Sequence, residues 1–162
     1  MILIITAAVV ALVAALAGYV RSASHDADTW HVDPLDAPSP STPNSYRVGP
    51  AQGSHGASVE PNAVAPTVSV SASDLAAAFD AVATNDARVE VVAGSAADGH
   101  VTYVQRSRTM GYPDYVSVRF IDLGDDGSTL AVFSRARFGR SDLGVNEKRV
   151  ERWLAETLKQ LS

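Results

Sequence analysis

The chain has 162 residues, 46% of them hydrophobic, a formal net charge of −5 at pH 7 and no cysteine. That length allows one ordinary domain, and the missing cysteines exclude a disulfide framework, a thiolate metal site and a cysteine nucleophile. The acidic balance argues against general nucleic-acid binding, which depends on a basic surface.

Met1 to Val20 carries no charged side chain. At roughly 1.5 Å per residue such a helix spans about 30 Å, the hydrocarbon thickness of a bilayer. Residues 1–21 are therefore expected to form a transmembrane anchor or uncleaved signal, with residues 1–20 in the membrane. A cleaved signal peptide needs a basic region ahead of the apolar run. Ala15-Leu16-Ala17 would suit cleavage, but no Lys or Arg precedes it, so an anchor is favoured. The α-amino group and Arg21 nearly cancel in the positive-inside rule. The basic-poor segment that follows reads as an exported tether, giving an N-in, C-out orientation.

Residues 22–70 read as a Pro/Ser/Gly-rich linker, partly pinned to the domain. Seven of the eight prolines lie between Pro34 and Pro66, and so polar a segment buries too little apolar area to offset its ordering entropy. Trp30, Leu35, Tyr46 and Val48 are the apolar residues that would pin it. Ala51 to Pro66 lacks such residues and is expected to be flexible. His25, Asp26, Asp28, His31, Asp33 and Asp36 are chemically suited to a metal, but their spacing fits no ligand motif. A solvated acidic leash explains them, and no metal or other cofactor is assigned.

Residues 71–162 read as an α+β domain. Ser71 caps a helix, Asp74 favours its positive end, and Leu75, Ala78, Phe79 and Val82 form one apolar stripe. Strand candidates follow at Arg88–Val92, Gly99–Arg106, Asp114–Leu123 and Ser128–Phe138. In the third, Val116, Val118 and Phe120 alternate with Ser117 and Arg119. Gly124-Asp125-Asp126-Gly127 supplies a tight hairpin turn. A last helix, with Asn146 as its expected cap, carries Val150, Trp153, Leu154, Leu158 and Leu161 on one stripe. The expected architecture is an antiparallel sheet of about four strands, flanked by an N-terminal and a C-terminal helix packed on one face.

Between Arg135 and Arg152 six basic residues stand against Asp142, Glu147 and Glu151. Period two puts Arg135 and Arg137 on one face, with Arg119 across the hairpin. Arg106 and Arg149 would approach the rim. Gathered guanidinium groups recognise carboxylate or phosphate, and Ser134, Ser141 and the backbone near Gly139 would add donors. The candidate ligand-binding set is Arg106, Arg119, Arg135, Arg137, Arg140, Ser141, Asp142 and Arg149. The competing structural reading pairs these arginines with Asp114, Asp122 and Asp142, for about 0–1 kcal/mol per exposed pair. No catalytic residue is assigned. Of the four histidines only His100 falls in the domain, so Ser134 and Ser141 lack a credible base.

Tyr103-Val104-Gln105-Arg106-Ser107, Pro113-Asp114-Tyr115-Val116-Ser117-Val118-Arg119 and Ser128 through Leu154 resemble the bacterial family of domain of unknown function 1499. The longest stretch is Ser134-Arg135-Ala136-Arg137-Phe138-Gly139-Arg140-Ser141-Asp142-Leu143-Gly144-Val145-Asn146, followed by Arg149-Val150-Glu151-Arg152-Trp153-Leu154. Asp33-Pro34-Leu35 and Pro43-Asn44 also resemble it. Ala136 departs from the serine expected there, and Ser45-Tyr46 from an aromatic pair. The resemblance implies an N-terminal anchor or export signal and no established activity.

Taken together, these features predict a non-enzymatic accessory or binding module, anchored on the extracytoplasmic side of a bacterial inner membrane. It would engage an anionic small molecule or a partner's carboxylates through Arg119, Arg135, Arg137 and Arg140. The alternatives are an assembly factor for an envelope complex, with structural arginines, and a hydrolase using Ser134 or Ser141.

Overall fold

Alternating apolar and polar residues build the sheet. The computed structural model describes residues 2–162. Its strands are β1 (Ser45–Gly49), β2 (Ala63–Val64), β3 (Val89–Ser95), β4 (His100–Arg106), β5 (Pro113–Asp122) and β6 (Ser128–Ala136). They form one sheet in the order β2-β1-β6-β5-β4-β3. β3 to β6 are antiparallel neighbours joined by short connections, as the sequence predicts.

The expected sheet of about four antiparallel strands is corrected at one edge. β1 pairs antiparallel with β6, and β2 pairs parallel with β1. Both strands arise within residues 22–70, the segment read as a linker. β2 also falls in the stretch expected to be flexible. It is held mainly by hydrogen bonds, Asn62 N–H to Arg47 O and Ala65 N–H to Gly49 O, each 2.9 Å, with the small side chains of Ala63 and Ala65 partly buried against the core. Val64 is left 68% exposed, so the strand has no hydrophobic period to read.

Two helices cover one face. Helix α3 (Ala72–Asn85) begins where Ser71 Oγ accepts the Asp74 N–H at 3.1 Å. Helix α4 (Val145–Gln160) begins differently from expectation. Gly144, at φ 76°, occupies the cap position, and Asn146 is buried within the first turn. Asp142 does the capping by accepting the Asn146 and Gly144 N–H groups. Leu75, Phe79 and Val82 of α3 and Val150, Trp153 and Leu154 of α4 pack against Val101, Tyr103, Val116, Val118, Leu130 and Val132 of the sheet. Trp153 is fully buried, its ring meeting those of Phe79 and Tyr103 edge-on at 5.9 and 6.0 Å.

The other face is covered by the chain's N-terminal part. Helix α1 (Ile2–Arg21) is long and apolar enough to cross a membrane, with a mean hydropathy of 2.1 over Ile4–Arg21. Its body is exposed, but Val20 in its last turn is buried. Beyond it, residues 22–44 cross the sheet as a strap that includes the single turn α2 (Ala27–Trp30). Trp30 stacks on Tyr115 with ring centroids 3.9 Å apart, and His31 stacks on His100 at 3.9 Å.

Candidate functional site

Strand alternation decides where the arginines go. Register places Arg119 opposite Ala131 and Arg135 opposite Tyr115, on the side away from Val118 and Val132. Arg47 of β1, opposite Phe133, and Arg106 of β4, opposite Pro113, point the same way. These side chains meet the strap, although Arg119 remains partly open to solvent. Arg135 donates to Trp30 O at 2.6 Å and to Ser117 Oγ at 3.2 Å. Arg137 donates to Ser24 O at 2.7 Å. Arg119 pairs with Asp33 at 2.5 Å. Arg47 donates to Pro34 O, and to Ala37 O at 2.5 Å.

Arg106 completes the row at the neck, donating to Ala23 O at 3.2 Å, Gly111 O at 3.1 Å and Val20 O at 3.4 Å. Its fourth partner there is His25 Nε2, at 2.8 Å. Arg21 in turn donates to Thr109 O at 3.0 Å. Gly111 is required at this contact. Its φ is +77°, and a Cβ there would lie 2.7 Å from Arg21 Cγ. The apolar helix therefore enters the domain through a hydrogen-bonded joint.

Burial raises the stakes of these bonds. Arg135 is 6% exposed, and burial, with Arg47 nearby, draws its pKa down to about 10. Burial likewise lowers the Arg47 pKa, against the pull of Asp36 and Asp33. Each guanidinium also lies on a ring: Arg47 is 3.8 Å from the Phe133 centroid, and Arg135 is 5.4 Å from that of Trp30. Sequence reasoning missed Arg47, because Tyr46-Arg47-Val48 was placed in the linker. The same apolar-Arg-apolar alternation that marks Val118-Arg119-Phe120 was present there.

The expected single cluster is thus divided. Arg106, Arg119, Arg135 and Arg137 lie on the strap face. Arg149 and Asp142 lie on the helix face, where Arg149 pairs with Asp114 at 2.7 Å and donates to Gln105 Oε1, Asn146 Oδ1 and Ser134 Oγ. The reason is geometric: α4 and β6 are consecutive, but the sheet stands between Arg135 and Arg149. Arg140 and Ser141 are exposed in the intervening loop, with Ser141 Oγ accepting the Leu143 N–H. Ser134 Oγ donates to Asn146 Oδ1 at 2.5 Å and accepts from Arg149, partners that orient the hydroxyl without supplying a base. The histidines and acids of residues 25–36 are also separated. His25 meets Tyr115, His31 meets Thr102 and Asp33 meets Arg119. Among the described residues no group of three or more His, Cys, Asp or Glu is placed to hold a metal.

Beside the neck, a cleft of about 430 Å³ opens between the end of α1 and the loop leading into α4. Leu16, Tyr19 and Val20 form one wall, and Tyr112, Phe138 and Val145 contribute to the other. Ser107, Asp114, Ser141 and Asp142 supply polar groups. Burial raises the Asp114 pKa more than the Arg149 guanidinium lowers it. Asp142 goes the other way. Burial works to raise its pKa, but hydrogen bonds from Asn146 and Gly144 hold it below the usual range.

No curated protein and no solved structure matches the chain. The family described as protein of unknown function DUF1499 matches residues 37–157, taking in β1 through most of α4. By that match the chain belongs to the DUF1499 family.

Proposed function

We propose that the protein is a membrane-anchored accessory domain, held against the bilayer by α1 and turned towards it by the arginine-fastened strap. The observation that carries this reading is the joint between α1 and the domain. A hydrophobic helix with exposed sides has a buried residue, Val20, in its last turn, and Arg106 grips the carbonyls of Val20 and, just past the helix, Ala23. A helix that served only for export would have no need of such a joint. In this reading the arginines act as fasteners. Arg47, Arg106, Arg135 and Arg137 direct donors to backbone carbonyls of the strap and neck, and a guanidinium–carbonyl bond in a site poor in water is worth more than an exposed ion pair.

The domain is proposed to sit on the extracytoplasmic side, since residues 22–44 contain no Lys or Arg to retain them in the cytoplasm. Recognition of an anion through the arginines has less support, because among the arginines of the proposed set only Arg119 and Arg140 are largely exposed. Alkaline carbonate extraction of membranes holding the full chain tests the anchor, and protease added to intact spheroplasts tests the side. Retention in the membrane with digestion of the domain is the expected result. Release by carbonate would refute the anchor. Protection from protease would refute the orientation.

A further inference from the structure

We infer that the cleft beside α1 binds a lipid whose head group carries an ammonium, taken from the bilayer that α1 enters. The inference rests on the reading of α1 as an anchor. Leu16 lies five residues before Arg21, so its level is about 7–8 Å deeper along the helix axis. One wall of the cleft therefore stands at acyl-chain depth when Arg21 stands at the membrane surface. Tyr19, 68% exposed, lies between, and its ring meets Phe138 edge-on at 6.4 Å. Tyrosine with an apolar body and a polar tip favours that interface.

The polar end selects the head group. Asp114 and Asp142 both line the cleft. Arg149, 5% exposed, pairs with Asp114 and spends its other donors on Gln105, Asn146 and Ser134, whereas Asp142 accepts only neutral N–H groups, from Gly144 and Asn146. With Asp114 balanced by Arg149, the lining is left with the negative charge of Asp142 at the end of an apolar slot. An anionic head would be repelled there, and an ammonium would gain charge-assisted hydrogen bonds. The cleft volume of about 430 Å³ suits a head group and the first carbons of one acyl chain. Its carboxylates are already held in place by Arg149, Asn146 and Gly144, so little ordering is left to do on binding. Leu143, next in the chain to Asp142, is 86% exposed with φ at 54°, a conformation that leucine disfavours.

The test uses the full chain, taken from nanodiscs made of equal parts phosphatidylethanolamine, phosphatidylcholine and phosphatidylglycerol, with retained lipid counted by native mass spectrometry. Retained phosphatidylethanolamine should exceed phosphatidylglycerol by about tenfold or more, the equivalent of one charge-assisted hydrogen bond. Asp114→Asn should abolish that preference. Because it also disturbs a buried ion pair, Val145→Trp provides a second variant. Val145 is 47% exposed at the cleft rim, so filling the slot from there spares the core and should empty it of lipid. Even retention of the three lipids, or undiminished retention by Val145→Trp, would overturn the inference while leaving the anchor standing. A chain that does not remain in the nanodisc overturns both.

Discussion

Trp153 and Trp30 lie on opposite faces of one sheet and are held by opposite means. Trp153 is fully buried among Phe79, Tyr103 and the sheet's aliphatic residues, with one hydrogen bond from its Nε1 to Asp86. Trp30 is half-buried, stacked on Tyr115, and its carbonyl is the acceptor for Arg135. The helix face is closed by non-directional burial of apolar area. The strap face is closed by arginines reaching backbone carbonyls. Apolar packing tolerates sliding, whereas a donor–acceptor row fixes one register for an irregular segment with little hydrophobic surface of its own. That register sets where α1 leaves the domain.

The largest expected effect lies on the helix face. Trp153→Ala should cost about 3–5 kcal/mol, and chemical denaturation should show the whole domain losing cooperativity or stability. A loss under about 1 kcal/mol would mean that α4 is not the keystone of that face. Next comes Arg135→Ala on the strap face, at about 2 kcal/mol, from the lost charge-assisted bond to Trp30 O and lost packing. Here the effect should be local. Amide exchange at residues 24–37 should accelerate, while α3 and α4 stay protected. Equal acceleration on both faces would erase the contrast drawn between them.

Acid should separate the faces as well. Burial lowers the His25 pKa, with help from Arg106, and burial lowers that of His31, with help from His100. For a base whose folded pKa is depressed, the unfolded chain binds more protons, so stability is full above the unfolded value of about 6.5 and falls below it. On the helix face, burial works to raise the Asp86 pKa, yet bonds from Arg152, Trp153 and Gln105 hold it below the usual range. Its contribution persists above the ordinary carboxylate pKa and is lost only as pH falls towards the depressed one. The strap should therefore loosen first on acidification. The two tryptophans report on the two faces separately. In a Trp153→Phe variant the emission of Trp30 should change between about pH 6.5 and 5, before helical circular dichroism does. Coincident transitions would contradict the ordering.

The smallest effect belongs to Arg119→Ala, whose ion pair with Asp33 is 45% and 29% exposed at its two ends. It should cost no more than about 1 kcal/mol and should weaken further in salt. Its value is as a control. A loss comparable with that of Arg135→Ala would show that charge, rather than buried carbonyl bonding, holds the strap.

Much of the helix face was legible from periodicity. Ser71 and the stripe from Leu75 to Val82 mark α3, Val116-Ser117-Val118-Arg119-Phe120 marks β5, and Val150, Trp153 and Leu154 mark the buried side of α4, because each packs by a regular repeat. The apolar run that forms α1 was legible from length and composition alone. The candidate site was legible only in part. Alternation placed Arg119, Arg135 and Arg137 together, but it carried no information about what would face them. Their partners are carbonyls of residues 24–33 and a carboxylate from the same strap, and backbone acceptors look alike in every sequence.

Tertiary structure alone decided the rest. β1 and β2 join the sheet through backbone pairing at its edge, and β2 has too few side-chain contacts to leave a pattern. Arg47 became a strap fastener only because β1 docks beside β6 and brings it over Phe133. Arg149 and Arg135, fourteen positions apart, ended on opposite sides of the sheet because Arg135 points to the strap face of β6 while the loop 137–144 carries the chain past the end of that strand to the helix face. The cleft beside α1 is lined by residues from both ends of the sequence, Leu16 and Val145 among them. The sequence determined which segments would be regular, since periodic burial is a local property. It left open what the arginines would hold, since a hydrogen bond between distant residues is settled only when the whole chain has packed.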